Sequence, residues 1–97
     1  MQFLSVSRRK TDEFPPEAFT PELVEKEANR GRELYTEGIL RQIWFRADIA
    51  GAVILWEAAD EAEVRAAAES LPLYCAGMLE ILLIMPLRPY PGFAPRH

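Results

Sequence analysis

Two stretches of this chain, AVILW at 52–56 and LEILLIM at 79–85, place apolar residues at consecutive positions. A β-strand sends alternate side chains to opposite faces, so each stretch is apolar on both sides. An antiparallel sheet with one wet face alternates apolar with polar instead. Both faces of these strands therefore need cover, and the rest of the chain must be read for what supplies it.

QFLSVSR, at 2–8, reads as a first strand, with Phe3, Ser5 and Ser7 on one side and Leu4 and Val6 on the other. RKTDEFPPEAF follows as a loop, because Pro15-Pro16 breaks regular structure. Thr20 is a good N-cap, and Pro21 sits at the first helical position, where its missing N–H costs nothing. The helix runs to about Glu37 and stops at Gly38. ILRQIWFR, at 39–46, is a second strand with Ile39, Arg41, Ile43 and Phe45 on one face. ADIAG connects it to a third strand, AVILWEA, at 52–58. Asp60 and Glu63 have capping-box spacing at the start of a second helix. Val64, Ala67, Ala68 and Leu71 form its apolar face, and Pro72 ends it. Residues 79–85 are the fourth strand.

The order β-α-β-β-α-β is the ferredoxin-like split arrangement, an α+β fold with one four-stranded antiparallel sheet and both helices on one face. Two helices cover one side of the sheet. A second copy of the chain is expected to cover the other, making at least a homodimer. With 97 residues the chain fits a single domain, and one this small gains from assembly. The domain is expected to span 1–86, with a tail at 87–97 held extended by Pro89, Pro91 and Pro95. Tyr90 and Phe93 would anchor that tail on a neighbouring subunit.

Composition removes several chemistries. The net charge of −4 argues against a nucleic-acid partner. Arg8-Arg9-Lys10 is the one basic run and reads as a solvated loop. The longest apolar run falls far short of the roughly 20 residues that span a bilayer, and the first residues do not have the order of a secretion signal. A cytoplasmic protein with no membrane partner is expected. Cys75 is the single cysteine and reads as a small buried hydrophobe. The single histidine is His97, at the end of the sequence. Histidine-ligated metal and Ser-His-Asp chemistry thereby lose their key residue. No metal site is expected. No Gly-rich phosphate loop is present either.

One residue breaks the pattern of the first helix. At about 100° per residue, Leu23, Val24, Ala28, Gly31, Leu34 and Tyr35 share a stripe, and Glu27 falls inside it. A carboxylate on a face bound for burial is costly unless paired, hydrogen-bonded or protonated. Arg41 shares the apolar face of the second strand, so acid and base are expected to meet between helix and sheet. They would form either a structural ion pair or a site in which a desolvated Glu27 is the base and Arg41 steadies negative charge on substrate. Gly31 leaves space beside Glu27, and Tyr35 adds a hydroxyl. Trp44, Trp56 and Tyr74 are candidate substrate contacts.

EGILRQIW at 37–44, LPLY at 71–74, Glu80, and Leu23 with Glu27 together resemble the muconolactone isomerase family. The shared features are an acidic-Gly helix end, an Arg and a Trp three apart in the next strand, and a Leu-Pro-Leu-aromatic motif. The resemblance covers about residues 20–88. It implies a cofactor-free isomerase on a dimeric α+β barrel, active in aromatic-compound catabolism and assembled into rings of dimers. Such an enzyme moves a double bond in a small lactone carboxylate, with Glu27 carrying the proton and Arg41 holding the enolate. The sequence departs from the family at Phe45-Arg46, where a Gly usually follows closely, and in its proline-rich tail. Two other readings fit the same architecture. One is a cofactor-independent quinol-type monooxygenase with an aromatic pocket built from Trp44, Trp56 and Tyr74. The other is a non-catalytic ligand-binding or assembly module, with Glu27 paired and no cavity.

Overall fold

A computed structural model describes residues 1–93 of the chain. The end of the tail, with Pro95 and His97, lies outside the described residues. The strands are β1 (Gln2–Arg9), β2 (Leu40–Phe45), β3 (Ala52–Glu57) and β4 (Leu79–Pro86). They form one antiparallel sheet in the order β2-β3-β1-β4, with the ferredoxin-like topology.

Helix α1 (Pro21–Thr36) starts where its cap says it should, since Thr20 Oγ1 accepts the Leu23 N–H at 3.2 Å. Its end is a Schellman turn: Gly38 takes a φ of +81°, its N–H reaches Tyr35 O, and the Ile39 N–H reaches Leu34 O. Helix α2 (Glu61–Glu69) is capped by Asp60, whose Oδ1 accepts the Glu63 N–H at 2.9 Å. It ends at Glu69 rather than at Pro72. Pro72 instead opens a one-turn helix, α3 (Pro72–Cys75), because proline fits a first helical position as well as it breaks a last one.

Two bulges decide which side chains share a layer. Along β2, Leu40 pairs with Trp56 and Gln42 with Leu55, leaving Arg41 as the extra residue. Such a residue shifts every later side chain to the other face. Leu40, Ile43 and Phe45 therefore face the helices, and the expected row of Ile39, Arg41, Ile43 and Phe45 does not form. Along β4, Val6 pairs with Leu83 and Ser7 with Ile81, so Leu82 is extra. The core lies between sheet and helices, with Trp56, Leu34, Leu73 and Val64 its most deeply buried side chains. Trp56 resolves its polar edge there by donating its indole N–H to Ser5 Oγ at 2.8 Å.

Candidate functional site

The stripe of α1 is used in two parts. Leu34 is fully buried and Leu23 packs against the core. Val24, Glu27, Ala28, Gly31 and Tyr35 instead face a cavity of about 390 Å³ between α1 and the sheet. That volume lies in the range of small-molecule sites. Leu40, Ile43 and Phe45 of β2 and Ile54 of β3 form the opposite wall. Leu71 and Leu73, flanking Pro72, form part of the lining as well. Gly31 does leave room: a side-chain carbon added there meets no atom within 4 Å.

Glu27 is half-buried in this apolar wall, and its Oε1 accepts the Leu73 N–H at 2.9 Å. Leu71 caps α3 without a side-chain acceptor, and Pro72 has no N–H, so Glu27 supplies the acceptor that the short helix lacks. This bond joins the Leu-Pro-Leu segment to the acid of α1. No hydrogen bond to Oε2 is made among the described residues, and that oxygen is left for whatever enters the cavity. Burial pushes the Glu27 carboxyl above its usual range, while the Leu73 N–H and the positive charge of Arg9 oppose the shift.

The expected partner is elsewhere. Arg41, displaced by the bulge, is exposed, does not line the cavity and makes no ion pair among the described residues. The cation in the cavity wall nearest in effect to Glu27 is Arg9. It was hidden in a basic run read as a loop, but β1 continues through Arg9 and alternation separates the neighbours. Arg8 points to the open face and pairs with Asp12 at 2.9 Å and Glu80 at 2.5 Å. Arg9 follows Phe3, Ser5 and Ser7 onto the helix side. Carrying that alternation two residues further would have found it.

The aromatic candidates do not converge. Tyr35 stands at the cavity rim, 63% exposed. Trp44 lies on the opposite, open face of the sheet, 48% exposed. Trp56, at 0% exposure, belongs to the core. Tyr74 donates its hydroxyl to Glu69 Oε2 at 3.3 Å and lies outside the cavity lining. The aromatic pocket that a quinol monooxygenase would need from Trp44, Trp56 and Tyr74 is thus not assembled in one chain. A closed, cavity-free module is not what forms either. Cys75 is exposed rather than buried, with Sγ 3.4 Å from Glu69 O, because the one-turn helix α3 turns it outward.

Among the described residues no helix is long and apolar enough to cross a membrane. The profile of a family described as muconolactone delta-isomerase matches residues 1–92. Among solved structures the chain is similar to 5-chloro-2-hydroxyhydroquinone dehydrochlorinase (TftG) from Burkholderia phenoliruptrix AC1100, in complex with 2,5-dihydroxybenzoquinone. The identity is 17%, the match covers 91% of this chain and 94% of that one, and the TM-score is 0.61. At that identity the likeness speaks for the fold. No curated protein matches the chain.

Proposed function

The chain belongs to the muconolactone delta-isomerase family, and from that premise we propose that it is a cofactor-independent isomerase that shifts a double bond in a small lactone carboxylate. Glu27 is the proton carrier. The observation that supports this is a half-buried carboxylate in a cavity of substrate size, with one oxygen anchored and the other free.

The anchored oxygen fixes the orientation of the group, so the free one meets substrate in a set geometry. Raised basicity suits removal of a proton from carbon next to an unsaturated lactone. Glu27 takes that proton, and the C–H electron pair moves through the conjugated system onto the lactone carbonyl oxygen. The same proton then returns to a different carbon of that system. The double bond moves, Glu27 is regenerated, and no oxidant, reductant or second substrate is consumed. An apolar cavity favours the step by keeping water from competing for the proton. The dehydrochlorinase with the same fold is also named for a reaction on a small ring compound, which suits a cavity of this kind. A cytoplasmic homo-oligomer working in the breakdown of aromatic compounds completes the proposal.

Glu27→Gln tests it. Glutamine keeps the size of the side chain and an acceptor for the Leu73 N–H but removes the base. Turnover of muconolactone should fall by about 10²–10⁴, the usual worth of a general base, with the fold retained by circular dichroism. Undiminished turnover in that variant would overturn the assignment.

A further inference from the structure

We propose that Arg9 is the anion-holding residue of the cavity and the reason the site prefers a substrate bearing a carboxylate. The inference rests on the isomerase reading above for the type of substrate, but its own basis is the placement of charge. Most arginines of the described chain are already engaged: Arg8 with Asp12 and Glu80, Arg30 with Glu33, Arg32 with Glu25, Arg46 with Asp48, Arg65 with Glu69. Arg9 has no carboxylate partner among the described residues, yet it lines the cavity.

It is also held in place. Its guanidinium lies over the rings of Phe19 and Phe45, 5.7 Å from each centroid. Two aromatic faces flank the guanidinium, and its N–H edge meets no side-chain acceptor among the described residues. A planar, fixed guanidinium with unused donors is suited to a carboxylate. Its charge is felt at Glu27 without the two groups closing to an ion pair. Acid and base are therefore kept apart across the space a ligand enters. A small molecule with a carboxylate at one end and a reactive carbon at the other spans these two groups. The other guanidinium in the wall, Arg32, already has its charge paired with Glu25, so Arg9 is the lining guanidinium without a carboxylate partner among the described residues.

The test separates binding from turnover. The probe is an inert, saturated γ-lactone carrying an acetate arm, with its methyl ester as the neutral control, each titrated calorimetrically. Wild-type protein should bind the acid at least tenfold more tightly than the ester. Arg9→Met keeps the apolar stem over the two rings and should erase that preference. Arg9→Lys should restore part of it. In kinetics on the unsaturated lactone, Arg9→Met should act mainly by raising KM. Glu27→Gln should retain the acid preference even where turnover is lost, so a failed isomerase reading would not imitate a failed anion site. Three results would overturn the proposal: Arg9→Met keeping the preference, Arg41→Met removing it, or the wild-type protein binding acid and ester alike.

Discussion

At Glu27 two effects pull in opposite directions. Burial favours the neutral acid, whereas the Leu73 N–H and Arg9 favour the carboxylate; burial is the larger, so the pKa rises above its ordinary 4.5. The native chain then holds this proton more tightly than the unfolded chain does. The stability the group contributes is fully present below pH 4.5 and is lost as pH rises through the higher native value. Glutamine cannot ionise, so Glu27→Gln should melt at or above the wild-type temperature near neutral pH. That advantage should shrink as the pH is lowered toward 4.5. Thermal melts of the pair across that range check it, and a glutamine variant clearly weaker at neutral pH would show that the charge stabilises the fold. Activity should follow the same group, with an acid limb above pH 4.5 that moves higher in Arg9→Met, because that change removes a cation favouring ionisation. Glu27 was legible in the sequence because a charge in an apolar stripe is an anomaly that periodicity exposes. Arg9 was harder to see, because a basic run looks the same whether it is solvated or alternates between two faces until the Phe3, Ser5, Ser7 alternation is carried on to it.

The elements were legible wherever a local rule set them. Thr20-Pro21, Gly38 and Asp60 fix helix ends within one turn of chain, and all three behave as their caps require. Arg41 shows where such rules stop. Whether a strand carries an extra residue depends on its partner, and the pairing of Leu40 and Gln42 with Trp56 and Leu55 is a property of two strands. A strict alternation therefore put Arg41 beside Glu27, and one unpaired residue took it away. Gly51 is a second case, unremarkable in the connection ADIAG. In the fold it is buried just before β3, and an added side-chain carbon would lie 2.1 Å from Ser7 O and 2.9 Å from Arg8 Cα. Both of those atoms belong to the backbone of β1, which cannot swing aside as a side chain would. Gly51→Ala should therefore push β3 from β1 and destabilise the protein by about 1–3 kcal/mol or more. Denaturant melts measure this. Because Gly51 also lines the cavity, ligand binding should weaken with it, and a variant as stable as wild type would mean the strands part without strain.

Across the whole molecule the unanswered surface is the face of the sheet away from the helices. The register aligns Trp44, Val53, Val6 and Leu83 in one row across all four strands. The adjacent row runs Gln42, Leu55, Leu4, Met85. Trp44, Leu83 and Met85 are 48, 43 and 37% exposed, and Leu82 at the bulge is 49% exposed. Most charges bordering these rows are already paired, Arg8 with Glu80, Arg46 with Asp48 and Glu57 with the terminal amino group; Arg41, next to Gln42, is the exposed exception. What remains is a continuous apolar surface with little charge left to select a polar partner. A second copy supplies a matching surface of the same kind, since an isologous contact sets this patch against itself. Tyr90 and Phe93 of the tail are both open to water on a single chain and would add further contacts to a neighbouring subunit. We therefore expect at least a dimer through the open face. Leu83→Glu tests this without touching the core, because Leu83 is a surface residue of the lone chain. In a face-to-face dimer it would bury two unpaired carboxylates, at several kcal/mol for the pair on the scale of about 1–3 kcal/mol or more for each polar group left without a partner. Light scattering at micromolar concentration should find a dimer or a multiple of it for the wild type, and a folded monomer for Leu83→Glu. A wild-type protein that is monomeric and fully folded at that concentration would show that the open face tolerates water, and the two-sided apolar strands would then need another cause.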